Sequence, residues 1–594
     1  MKRLTLLAAC ASLLSLMIAC EPEANPGEDN NKGEVSLSVN PTTLILDADQ
    51  TSCSFKLTAS DAWSIESEAE WITAVTPSNG EAGTDLVINV TVAANDGTLR
   101  SGKLTVKCGD KTATVTVSQA TAANKAVFGQ VYLMKATLIE DAKGFNMLSD
   151  PSFEDHASEA IDYKSPWWIL GSDRVADPHT GDYAARLKGS ITENLGFQTV
   201  CARPYTDYEV SAWFKSNKDS ENPDTYLGMR YGITDRPVLK DENKGGSFST
   251  SWSQSTTAFN TDRHSIVEAF AFSFEKPDYV IQWDDVVLKR PGDNQKSYML
   301  TSVEKVGSLA AALNGTITSF DGCTAWDGGD GKTMVAFGQN VGEAEFATKA
   351  NALAYSTDNN ITDGIDITVV NNDGKVKEIL PLADGEKGIV PTAGVTAGGK
   401  QWIHYQSINA KEFGSDMWTI KSSGLAYSED GGNTWTRSNV SWGANSNFAQ
   451  VALLNDNGYV YMYGSTAGRI VEGEQFVKLA RVAENEMGNA SSWTYWNGSA
   501  WVAEESAATE IIYTGTLGEI SVIKNANGRY LMMYSTIKRD AVVVRDAASP
   551  EGDWSGEKIV LVDDKDEVLY APTMLPVSAQ GNDIYFLVSS AWGE

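Results

Sequence analysis

Three carboxylates lie in one glycine-rich segment near the middle of the chain. Residues 320–340 read FDGCTAWDGGDGKTMVAFGQN and contain Asp321, Asp327 and Asp330. A short apolar run, Thr333–Phe337, ends this segment and is typical of a strand. Hydrolysis of a glycosidic bond uses such acidic side chains: one carboxylic acid protonates the leaving oxygen, and a second carboxylate activates water or attacks the sugar. Because Asp and Gly also form ordinary turns, a surface turn is the alternative for the segment taken alone.

The composition favours an exported protein rich in β-structure. A chain of 594 residues is expected to contain about three or four domains. Its 17 Trp and 21 Tyr residues suit both β-sheets and surfaces that stack on sugars. The net charge of −31 argues against nucleic acid and anionic membrane surfaces as partners. The aromatic content is compatible with a polysaccharide as partner, and we expect contact with a membrane only through a lipid anchor.

The N-terminus has the pattern of a secretory signal. Two basic residues precede the apolar run Leu4–Ala19, which is too short to span a membrane. The sequence LMIAC, which ends at Cys20, resembles a bacterial lipobox. This resemblance implies cleavage before Cys20 and lipidation of that cysteine, whereas ordinary cleavage nearby would leave a free thiol. We expect a signal peptide at 1–20, a linker at 21–34, and a lipid anchor in the bacterial outer membrane with the protein exposed at the cell surface.

The remaining Cys and His residues give little support to metal or triad chemistry. The cysteines after the anchor show no close pair: Cys53, Cys108, Cys201 and Cys323. The four histidines are scattered, so a zinc site of ordinary ligand spacing is not expected. No nucleophile-elbow motif supports a Ser-His-Asp apparatus, and we expect no cofactor for catalysis. Cys53 and Cys108 could form a disulfide in an oxidising compartment.

Residues 35–120 predict a small β-sandwich. Short runs of alternating apolar and polar residues are separated by turn signals such as Pro77–Gly80. Trp63, Trp71 and the closing Val117–Gln119 make the segment resemble a BACON domain. The resemblance implies an accessory module of exported carbohydrate-active proteins, which either binds glycan or serves as a spacer. Both tryptophans fit a core position better than a ligand platform.

A connector at 121–144 and a second β-domain at 145–291 come next. The domain opens with an N-x-x-x-x-x-x-F-E pattern that ends at Glu154 and closes with D-D-V around Asp285. These patterns resemble jelly-roll carbohydrate-binding modules of families 4 and 9, which implies two antiparallel sheets. The resemblance also implies a structural calcium, for which Glu154 and Asp285 are the candidate ligands. Core packing is the better expectation, and sugar stacking the alternative, for three tryptophans: Trp167, Trp168 and Trp252.

The rest of the chain, 295–594, predicts a β-propeller. Short strands recur with turn signals, and no long amphipathic helix interrupts them. Ser428–Trp435 reads SEDGGNTW and fits the Asp box of sialidase-like propellers, which is a turn within a blade. We expect Asp430 to accept hydrogen bonds from the backbone of this turn and not to act in catalysis.

Further motifs of this region carry a family resemblance. In chain order they include GIVPTAGV, WIHY, STAGR, LGEIS and YAP. Together with the Asp box they make Ser319–Trp592 resemble the domain-of-unknown-function family 4185. That family includes five-bladed propeller enzymes that cleave D-arabinan internally. The resemblance implies an all-β chain composed of a β-sandwich, a jelly-roll β-sandwich and a five-bladed β-propeller of glycoside-hydrolase type.

This sequence departs from the family's pattern at the catalytic pair. In the family that pair resembles two aspartates, the second in an F-G-D sequence at the end of a strand. Asp321 occupies the first position, and the second, 18 residues further on, is Gln339. An amide can hydrogen-bond a sugar hydroxyl but cannot exchange the proton that acid–base hydrolysis needs. The missing carboxylate could come from elsewhere in the propeller: Glu519 first, then Asp327, Asp358 or Asp416.

The same resemblance assigns residues to the central pocket of the propeller. The substrate-binding candidates are Gln339, His404, Asn447, Arg469 and Tyr570. The leading prediction is a surface glycoside hydrolase that cleaves within D-arabinan or a related furanose polymer, with Asp321 and Glu519 as its catalytic residues. A glycan-binding protein with a degenerate propeller site is the alternative, because Gln339 cannot transfer a proton. A sialidase-like hydrolase is the third, although a single Asp box argues against it.

Overall fold

The computed structural model describes most of the chain. The described residues are 35–40, 43–46, 51–94, 100–119, 131–154, 165–170, 172–187, 193–219, 225–231, 249–274, 279–309, 322–338, 351–358, 360–372, 375–411, 418–466, 475–514, 517–536, 541–562 and 568–591. The chain divides into two compact units, Met1–Asn95 with Arg100–Gln119, and Asp96–Leu99 with Ala120–Glu594. Among the described residues we find no helix with the length and hydrophobicity of a membrane span.

The first unit is the predicted β-sandwich. Its described strands are β1 (Leu37–Asn40), β2 (Thr43–Leu46), β3 (Ser52–Ala59), β4 (Trp63–Ser67), β5 (Ile72–Thr76), β6 (Asn79–Gly80), β7 (Gly83–Val92), β8 (Arg100–Cys108) and β9 (Lys111–Gln119). They form one sheet in the order β1-β3-β7-β5 and a second in the order β2-β9-β8-β4-β6. Side chains that alternate inward along these strands make one core, in which Trp63 is 4% exposed, so Trp63 is a core residue as expected.

The two cysteines of this unit are free thiols. Cys53 lies in β3 of one sheet and Cys108 in β8 of the other. Burial raises the pKa of the Cys53 thiol to about 11, which keeps it protonated at neutral pH. The disulfide considered from the sequence is therefore not formed in this structure.

The second unit begins with a propeller strand and then enters the predicted jelly roll. The propeller strand is β10 (Val131–Glu140). The described jelly-roll strands are β11 (Trp168–Leu170), β12 (Ser172–Val175), β13 (Ala184–Leu187), β14 (Glu193–Cys201), β15 (Asp207–Ser216), β16 (Thr225–Tyr231), β17 (Ser253–Asn260), β18 (Ile266–Phe274) and β19 (Ile281–Lys289). They form the two expected antiparallel sheets, β11-β14-β18-β16 and β12-β13-β19-β15-β17. Trp167 is 1% exposed and contacts the rings of Phe153 and Trp283 in the core, so it is not a sugar platform.

The remaining strands belong to the propeller. They are β20 (Tyr298–Ser308), β21 (Cys323–Gly329), β22 (Lys332–Gly338), β23 (Asn351–Ser356), β24 (Thr368–Val369), β25 (Asn371–Asn372), β26 (Lys375–Val376), β27 (Gly388–Ala397), β28 (Lys400–Lys411), β29 (Trp418–Ser428), β30 (Thr436–Gly443), β31 (Gln450–Asp456), β32 (Tyr459–Ser465), β33 (Gln475–Ala483), β34 (Thr494–Trp496), β35 (Trp501–Val502), β36 (Glu510–Thr514), β37 (Ile520–Lys524), β38 (Tyr530–Thr536), β39 (Ala541–Ala547), β40 (Lys558–Val562), β41 (Val568–Met574) and β42 (Asp583–Ala591). Short 3-10 helices lie at Ile361–Asp363, Glu484–Glu486, Ala490–Ser492, Glu505–Ala507 and Pro576–Gln580.

Five sheets form the blades of the propeller. Blades 1 to 4 are β21-β22-β23-β24, β27-β28-β29-β30, β31-β32-β33-β34-β35 with β36 on β33, and β37-β38-β39-β40. Blade 5 is β41-β42-β10-β20. The first strands named in each blade contact one another in a closed ring, from β21 through β27, β31 and β37 to β41 and back. The all-β, five-bladed architecture predicted from the sequence is confirmed.

Blade 5 corrects the predicted domain boundaries. Its inner strands β41 and β42 lie near the C-terminus, whereas its outer strands β10 and β20 precede every other propeller strand in sequence. Leu133 of β10 is opposite Leu587 of β42, and β10 also pairs with β20. The jelly roll is thus an insertion between the two outer strands of one blade. Residues 131–140, expected in a connector at 121–144, are part of the propeller.

Buried polar contacts hold the jelly roll on blade 4. Asp553, in the loop before β40, accepts a hydrogen bond from the Tyr208 hydroxyl at 2.8 Å. The guanidinium of Arg290 lies 2.7 Å from the other oxygen of Asp553. The N–H of Gly556 donates to the carbonyl of Asn146 at 2.8 Å. A Cβ atom at Gly556 would lie 2.0 Å from the Leu148 carbonyl oxygen, so only glycine permits this approach.

The five innermost strands run in the same direction around a central channel. At the end where they finish, which we call the lower end, Thr396 donates to the carbonyl of Asp327 at 2.6 Å and Asn455 donates to the carbonyl of Thr396 at 3.0 Å. At the end where they begin, the upper end, Glu519 accepts a hydrogen bond from the N–H of Ala571. A cavity of about 370 Å³ lies in the channel between these strands.

The Asp box has the structural role predicted for it. Asp430 accepts hydrogen bonds from the N–H of Thr434 at 2.7 Å and from its hydroxyl at 2.6 Å. Ser428 accepts from the N–H of Gly432, and the indole of Trp435 donates to the Gly432 carbonyl. These hydrogen bonds, those from Thr434 first, lower the pKa of Asp430 to about 2. The carboxylate therefore fixes the β29–β30 turn and is not a catalytic group.

Candidate active site at the upper end of the propeller

Two described glycines next to predicted site residues lie at the upper end of the channel. Asp321 and Gln339 lie outside the described residues, as do Arg469, Asp416 and Cys20. The described neighbours of the first two, Gly322 and Gly338, are joined by a hydrogen bond from the Gly338 N–H to the Gly322 carbonyl at 3.4 Å. Both flank the upper ends of β21 and β22, where the two strands pair.

Gly322 makes a close approach to blade 5 that a residue with a side chain would strain. Its φ is +78°, in the region that favours glycine. A Cβ atom at this position would lie 3.0 Å from the Cβ of Ala571 and 3.8 Å from the ring of Tyr570. The residue that follows Asp321 is therefore packed directly against the middle of β41.

Glu519, which precedes the innermost strand of blade 4, also lies beside Ala571. The N–H of Gly518 donates to the Ser535 carbonyl at 2.8 Å, and a Cβ on Gly518 would collide with the Ser535 hydroxyl at 2.1 Å. This glycine brings the chain close to β38, and the next residue reaches the middle of β41. Glu519 Oε2 then accepts a hydrogen bond from the N–H of Ala571 at 3.0 Å, and its side chain remains partly exposed.

Ala571 is a site residue that sequence reasoning missed. Its φ is +48°, which is uncommon for a residue with a Cβ atom, and β41 has a register shift between Tyr570 and Thr573. The bulge directs the Ala571 N–H towards Glu519 while its methyl group meets Gly322. The YAP sequence drew attention to this segment, but nothing in it signals a left-handed alanine.

Tyr570 is placed as a packing residue. Its side chain is only 5% exposed, and its ring lies against the position where a Gly322 Cβ would be. Direct contact with substrate, as expected from the sequence, would require a larger exposed area. The ring instead lies beside Gly322.

His404 does not line the pocket, which corrects the sequence prediction. It is 0% exposed, Nδ1 pairs with the Thr392 hydroxyl, and Nε2 pairs with the carbonyl of Phe448 at 3.1 Å. Burial lowers the pKa of His404 to about 3, so the ring is neutral at physiological pH. With both ring nitrogens bonded, His404 links blades 2 and 3 and is not available to a sugar.

Asn447 remains a candidate at the rim. It lies in the segment before β31, is partly exposed, and precedes Phe448, whose carbonyl accepts from both His404 and Ser423. The Phe448 N–H donates to the Ser446 hydroxyl at 2.9 Å, which fixes the turn on the other side. The backbone around Asn447 is therefore held in one conformation while its amide can reach solvent.

The other carboxylates considered as partners of Asp321 have structural positions. Asp327 and Asp330 lie at the lower end, in the β21–β22 hairpin, where Asp327 accepts from the Gly329 N–H. Asp358 accepts from the N–H groups of Asn360 and Asp366 and stabilises a turn after β23. Of the described alternatives, Glu519 is the carboxylate that the structure brings to the segment following Asp321.

The two carboxylates expected to bind calcium in the jelly roll are bonded within the protein. Glu154 accepts from the N–H groups of Asp182 and Tyr183. Asp285 accepts from the Thr180 hydroxyl at 2.7 Å and pairs with His179 Nδ1 at 2.8 Å.

Hydrogen-bond donors surround the Asp285 carboxylate at positions where a calcium site would have further oxygen ligands. They include the ammonium group of Lys143, 3.4 Å away, and the Ser152 hydroxyl, 2.7 Å away. Within the described ranges no group of three or more His, Cys, Asp or Glu side chains could hold a metal ion. The residues present do not fit a calcium site, and we assign Glu154 and Asp285 to fixing the 179–183 turn.

One jelly-roll tryptophan is exposed. Trp168 is 51% exposed and its ring is stacked on Phe197 with 6.1 Å between centroids. The Arg230 guanidinium lies 4.6 Å from the Phe197 centroid, on the same outer face of the β11-β14-β18-β16 sheet. Of the three tryptophans considered, Trp168 has the exposure that sugar stacking requires.

Two family models match the chain. Residues 311–593 match DUF4185, described as "Domain of unknown function (DUF4185)". Residues 61–120 match BACON, described as "Putative binding domain, N-terminal". No curated protein matches the sequence.

Similar solved structures share little sequence with this chain. A putative hydrolase from Bacteroides ovatus ATCC 8483 is 14% identical, with 47% of this chain and 89% of that chain covered and a TM-score of 0.33. The GH43_1 enzyme from Xanthomonas citri complexed with xylotriose is 13% identical, with 46% and 86% covered and a TM-score of 0.30. TmCBM61 in complex with β-1,4-galactotriose is 17% identical, with 24% and 98% covered and a TM-score of 0.18. The chain therefore carries a DUF4185 domain in its C-terminal region and a BACON domain in its N-terminal region.

Proposed function

We propose that this protein is a glycoside hydrolase whose active site lies at the upper end of the propeller. The observation that carries the proposal is the position of Ala571. Its methyl group meets Gly322, the residue after Asp321, and its N–H donates to Glu519 at 3.0 Å. Two carboxylate-bearing segments, distant in sequence, therefore converge on one residue at the mouth of a channel. Paired carboxylates at one site are what hydrolysis of a glycosidic bond requires.

In the proposed mechanism the two carboxylates have different tasks. Asp321 donates a proton to the leaving glycosidic oxygen, and Glu519 acts on the sugar as base or nucleophile. The hydrogen bond from Ala571 holds the Glu519 carboxylate in one orientation, which such a group needs in order to reach its target. Gln339 binds a sugar hydroxyl through its amide, and Asn447 is a further binding residue at the rim.

The substrate class is proposed from the residues that resemble the 4185 family. Those residues favour D-arabinan or a related furanose polymer that is cleaved internally. The test is to incubate residues 21–594 with D-arabinan and a panel of cell-wall and host glycans and to follow new reducing ends. Asp321→Asn and Glu519→Gln should each lower the rate roughly 10²- to 10⁴-fold. Asp330→Asn, an exposed turn position at the lower end, is the control and should leave the rate unchanged.

A glycan-binding protein without catalysis is the second candidate, favoured by Gln339. Gln339→Asp separates the two. If the unmodified chain releases no oligosaccharide and Gln339→Asp does, the propeller has kept a substrate groove and lost its acid, and binding is the function. If neither protein cleaves or binds any glycan in the panel, the proposal fails.

We propose further that the protein is anchored by lipid at Cys20 and is exposed on the bacterial outer membrane. The support is the signal-like run Leu4–Ala19 and the lipobox pattern before Cys20. Labelling cells with a fatty-acid analogue should mark the unmodified chain and not Cys20→Ser. Digestion of intact cells with an added protease should remove it, and survival of the full chain would contradict surface exposure.

A further inference from the structure

An aromatic surface lies on blade 3, away from the upper end of the channel. It comprises Tyr459 at the start of β32, Arg481 near the end of β33, and Trp496 and Trp501 of the β34–β35 hairpin. Tyr459 marks the lower end because β32 runs antiparallel to β31, which finishes there. We call these four residues, together with Tyr205 of the jelly roll, the blade-3 aromatic surface.

Three rings of this surface, those of Tyr459, Trp496 and Trp501, are held by contacts with their neighbours. The Arg481 guanidinium lies between two rings, 4.4 Å from the centroid of Tyr459 and 4.1 Å from that of Trp501. Trp496 and Trp501 face each other across the hairpin with 5.4 Å between centroids. Cation–π contacts of this kind order aromatic side chains before any ligand arrives, so little conformational entropy is lost on binding.

The jelly roll extends the same surface. Pro204 packs on Gly498 at the tip of the β34–β35 hairpin, where a Cβ atom would lie 2.7 Å from the proline ring. Tyr205, the next residue, is 74% exposed, the largest exposure among the large hydrophobic side chains of the described residues. Tyr459 is also 38% exposed. Pro204 and Gly498 thus join the two modules at this place, and the exposed Tyr205 directly follows Pro204.

The chemistry of this surface fits a sugar polymer better than a protein or a lipid. Its exposed apolar groups are aromatic rings. Of the other exposed large apolar residues, Leu382 and Val562 are aliphatic, and the aromatic Trp168 lies on the β11-β14-β18-β16 sheet of the jelly roll. Aromatic rings stack on the C–H faces of sugars, and the hydroxyl groups of tyrosine bond their edges.

We propose that the blade-3 aromatic surface is a second glycan-binding site, which holds a polysaccharide chain outside the channel. The proposal deepens the proposed function, because the polymer it binds is the one cleaved at the upper end. A site of this kind raises the effective concentration of a long substrate at the catalytic centre. It contributes nothing to a substrate too short to reach both places. Polymer and short oligosaccharide should therefore respond differently when the surface is removed.

The test compares polymer and oligosaccharide with the same variants. Tyr205→Ala, Trp496→Ala and the double variant are made in residues 21–594. Binding is measured as retention in a native gel that contains the cleaved polymer. Kinetics are measured on that polymer and on the shortest oligosaccharide that is cleaved. We expect polymer retention to fall about fivefold or more and KM for the polymer to rise, with kcat/KM for the oligosaccharide unchanged. Melting temperatures identify any variant that is misfolded, and Tyr205→Ala, at an exposed position, should fold normally.

Two control variants make the contrary outcomes interpretable. Leu382→Ala removes an exposed aliphatic residue and should change nothing, and Trp168→Ala removes the exposed aromatic of the jelly-roll sheet. If only Trp168→Ala lowers retention, the polymer binds the jelly roll and the inference is wrong. If polymer and oligosaccharide kinetics fall equally, or neither changes, it is wrong as well. If the unmodified chain is retained by a glycan that it never cleaves, and Tyr205→Ala with Trp496→Ala abolishes retention, the inference stands and the hydrolase proposal fails.

Discussion

Glu519 Oε2 accepts a hydrogen bond from the N–H of Ala571 at 3.0 Å, across the boundary between blades 4 and 5. Glu519 directly precedes β37 and Ala571 lies in the middle of β41, so the contact fixes the relative position of these two neighbouring innermost strands. It also holds a partly exposed carboxylate beside the segment that follows Asp321. Substitutions at Glu519 can separate its structural role, as acceptor for Ala571, from its proposed catalytic role.

Glu519→Gln should abolish activity while preserving the fold. The amide oxygen still accepts from Ala571, so we expect the free energy of unfolding to change by less than about 0.5 kcal/mol. The rate should fall roughly 10²- to 10⁴-fold because an amide cannot act as base or nucleophile. Glu519→Ala also removes the acceptor and should cost about 1–2 kcal/mol more. Urea unfolding and release of reducing ends check both, and a fully active Glu519→Gln would show that Glu519 only positions Ala571.

Gly322→Ala should impair the site through the backbone. A side chain at φ +78° costs about 1–2 kcal/mol, and the added methyl group would lie 3.0 Å from Ala571. We expect the displaced Asp321 segment to lower kcat about tenfold or more.

Gly329→Ala is the matched control for that substitution. Gly329 has a similar φ of +77° but no atom within 4 Å of the position its Cβ would take. It should lose comparable stability in thermal unfolding and keep its kcat. Equal losses of kcat in both variants would mean that backbone strain, and not the contact with Ala571, is responsible.

The propeller should not fold without the strand that precedes the jelly roll. Residues 295–594, the predicted propeller, lack β10, which lies between β42 and β20 in blade 5. Without β10 the edge of β42 loses its backbone partners, and buried residues such as Leu133 and Ala136 are missing from the core. We expect residues 131–594 to unfold in a cooperative transition and 295–594 to aggregate or to lack one. A soluble 295–594 with a melting temperature within a few degrees of the longer chain would contradict the insertion.

This insertion shows where sequence reasoning reached its limit. The Asp box was placed correctly because its hydrogen bonds close within a few residues, as in Asp430 to Thr434, and strands were recognised because the alternation of apolar and polar residues is a local pattern. The partner of β10 lies about 450 residues away (Leu133 opposite Leu587), and no local pattern encodes that pairing.

The candidate site was predicted only in part for a related reason. The sequence brought attention to Glu519 and to the YAP segment, but the burial of His404 depends on Phe448 and Trp442 packing around it. The residue type of His404 suggested a role in the pocket, whereas its environment assigns it to the core. The left-handed Ala571 follows from the close approach of Gly322, which is likewise a property of the assembled ring.

Asp546 should be a strong determinant of stability in blade 4. It is 0% exposed and accepts two hydrogen bonds from the Arg529 guanidinium, at 2.6 and 2.9 Å. It also accepts from the hydroxyl of Ser297, which directly precedes β20 of blade 5. Asp546→Asn leaves a buried guanidinium without its counter-charge, and we expect a loss of about 3 kcal/mol in urea unfolding. Asp330→Asn, at an exposed turn, should change stability by less than about 0.5 kcal/mol, and a similarly small effect at Asp546 would show that the pair is solvated.

Acid should weaken blade 2 through Glu386. Burial alone would raise the pKa of this carboxyl, but hydrogen bonds from Arg437, the Ala383 N–H and Ser407 outweigh it and lower the pKa to about 2. In the unfolded chain a glutamate titrates near about 4.3. The native state therefore favours the charged form, and the stability this contributes is complete above about pH 4.3 and is lost as the pH falls towards 2.

We expect that loss to amount to roughly 2 kcal/mol between these limits. Glu386→Gln should be less stable than the unmodified chain at pH 7 and should approach it in stability near pH 2, because both then carry a neutral side chain beside Arg437. Urea unfolding of the two proteins from pH 7 to 2 measures the difference directly. A difference that does not change with pH would mean that Glu386 acts through packing alone and that its charge contributes nothing to the stability of blade 2.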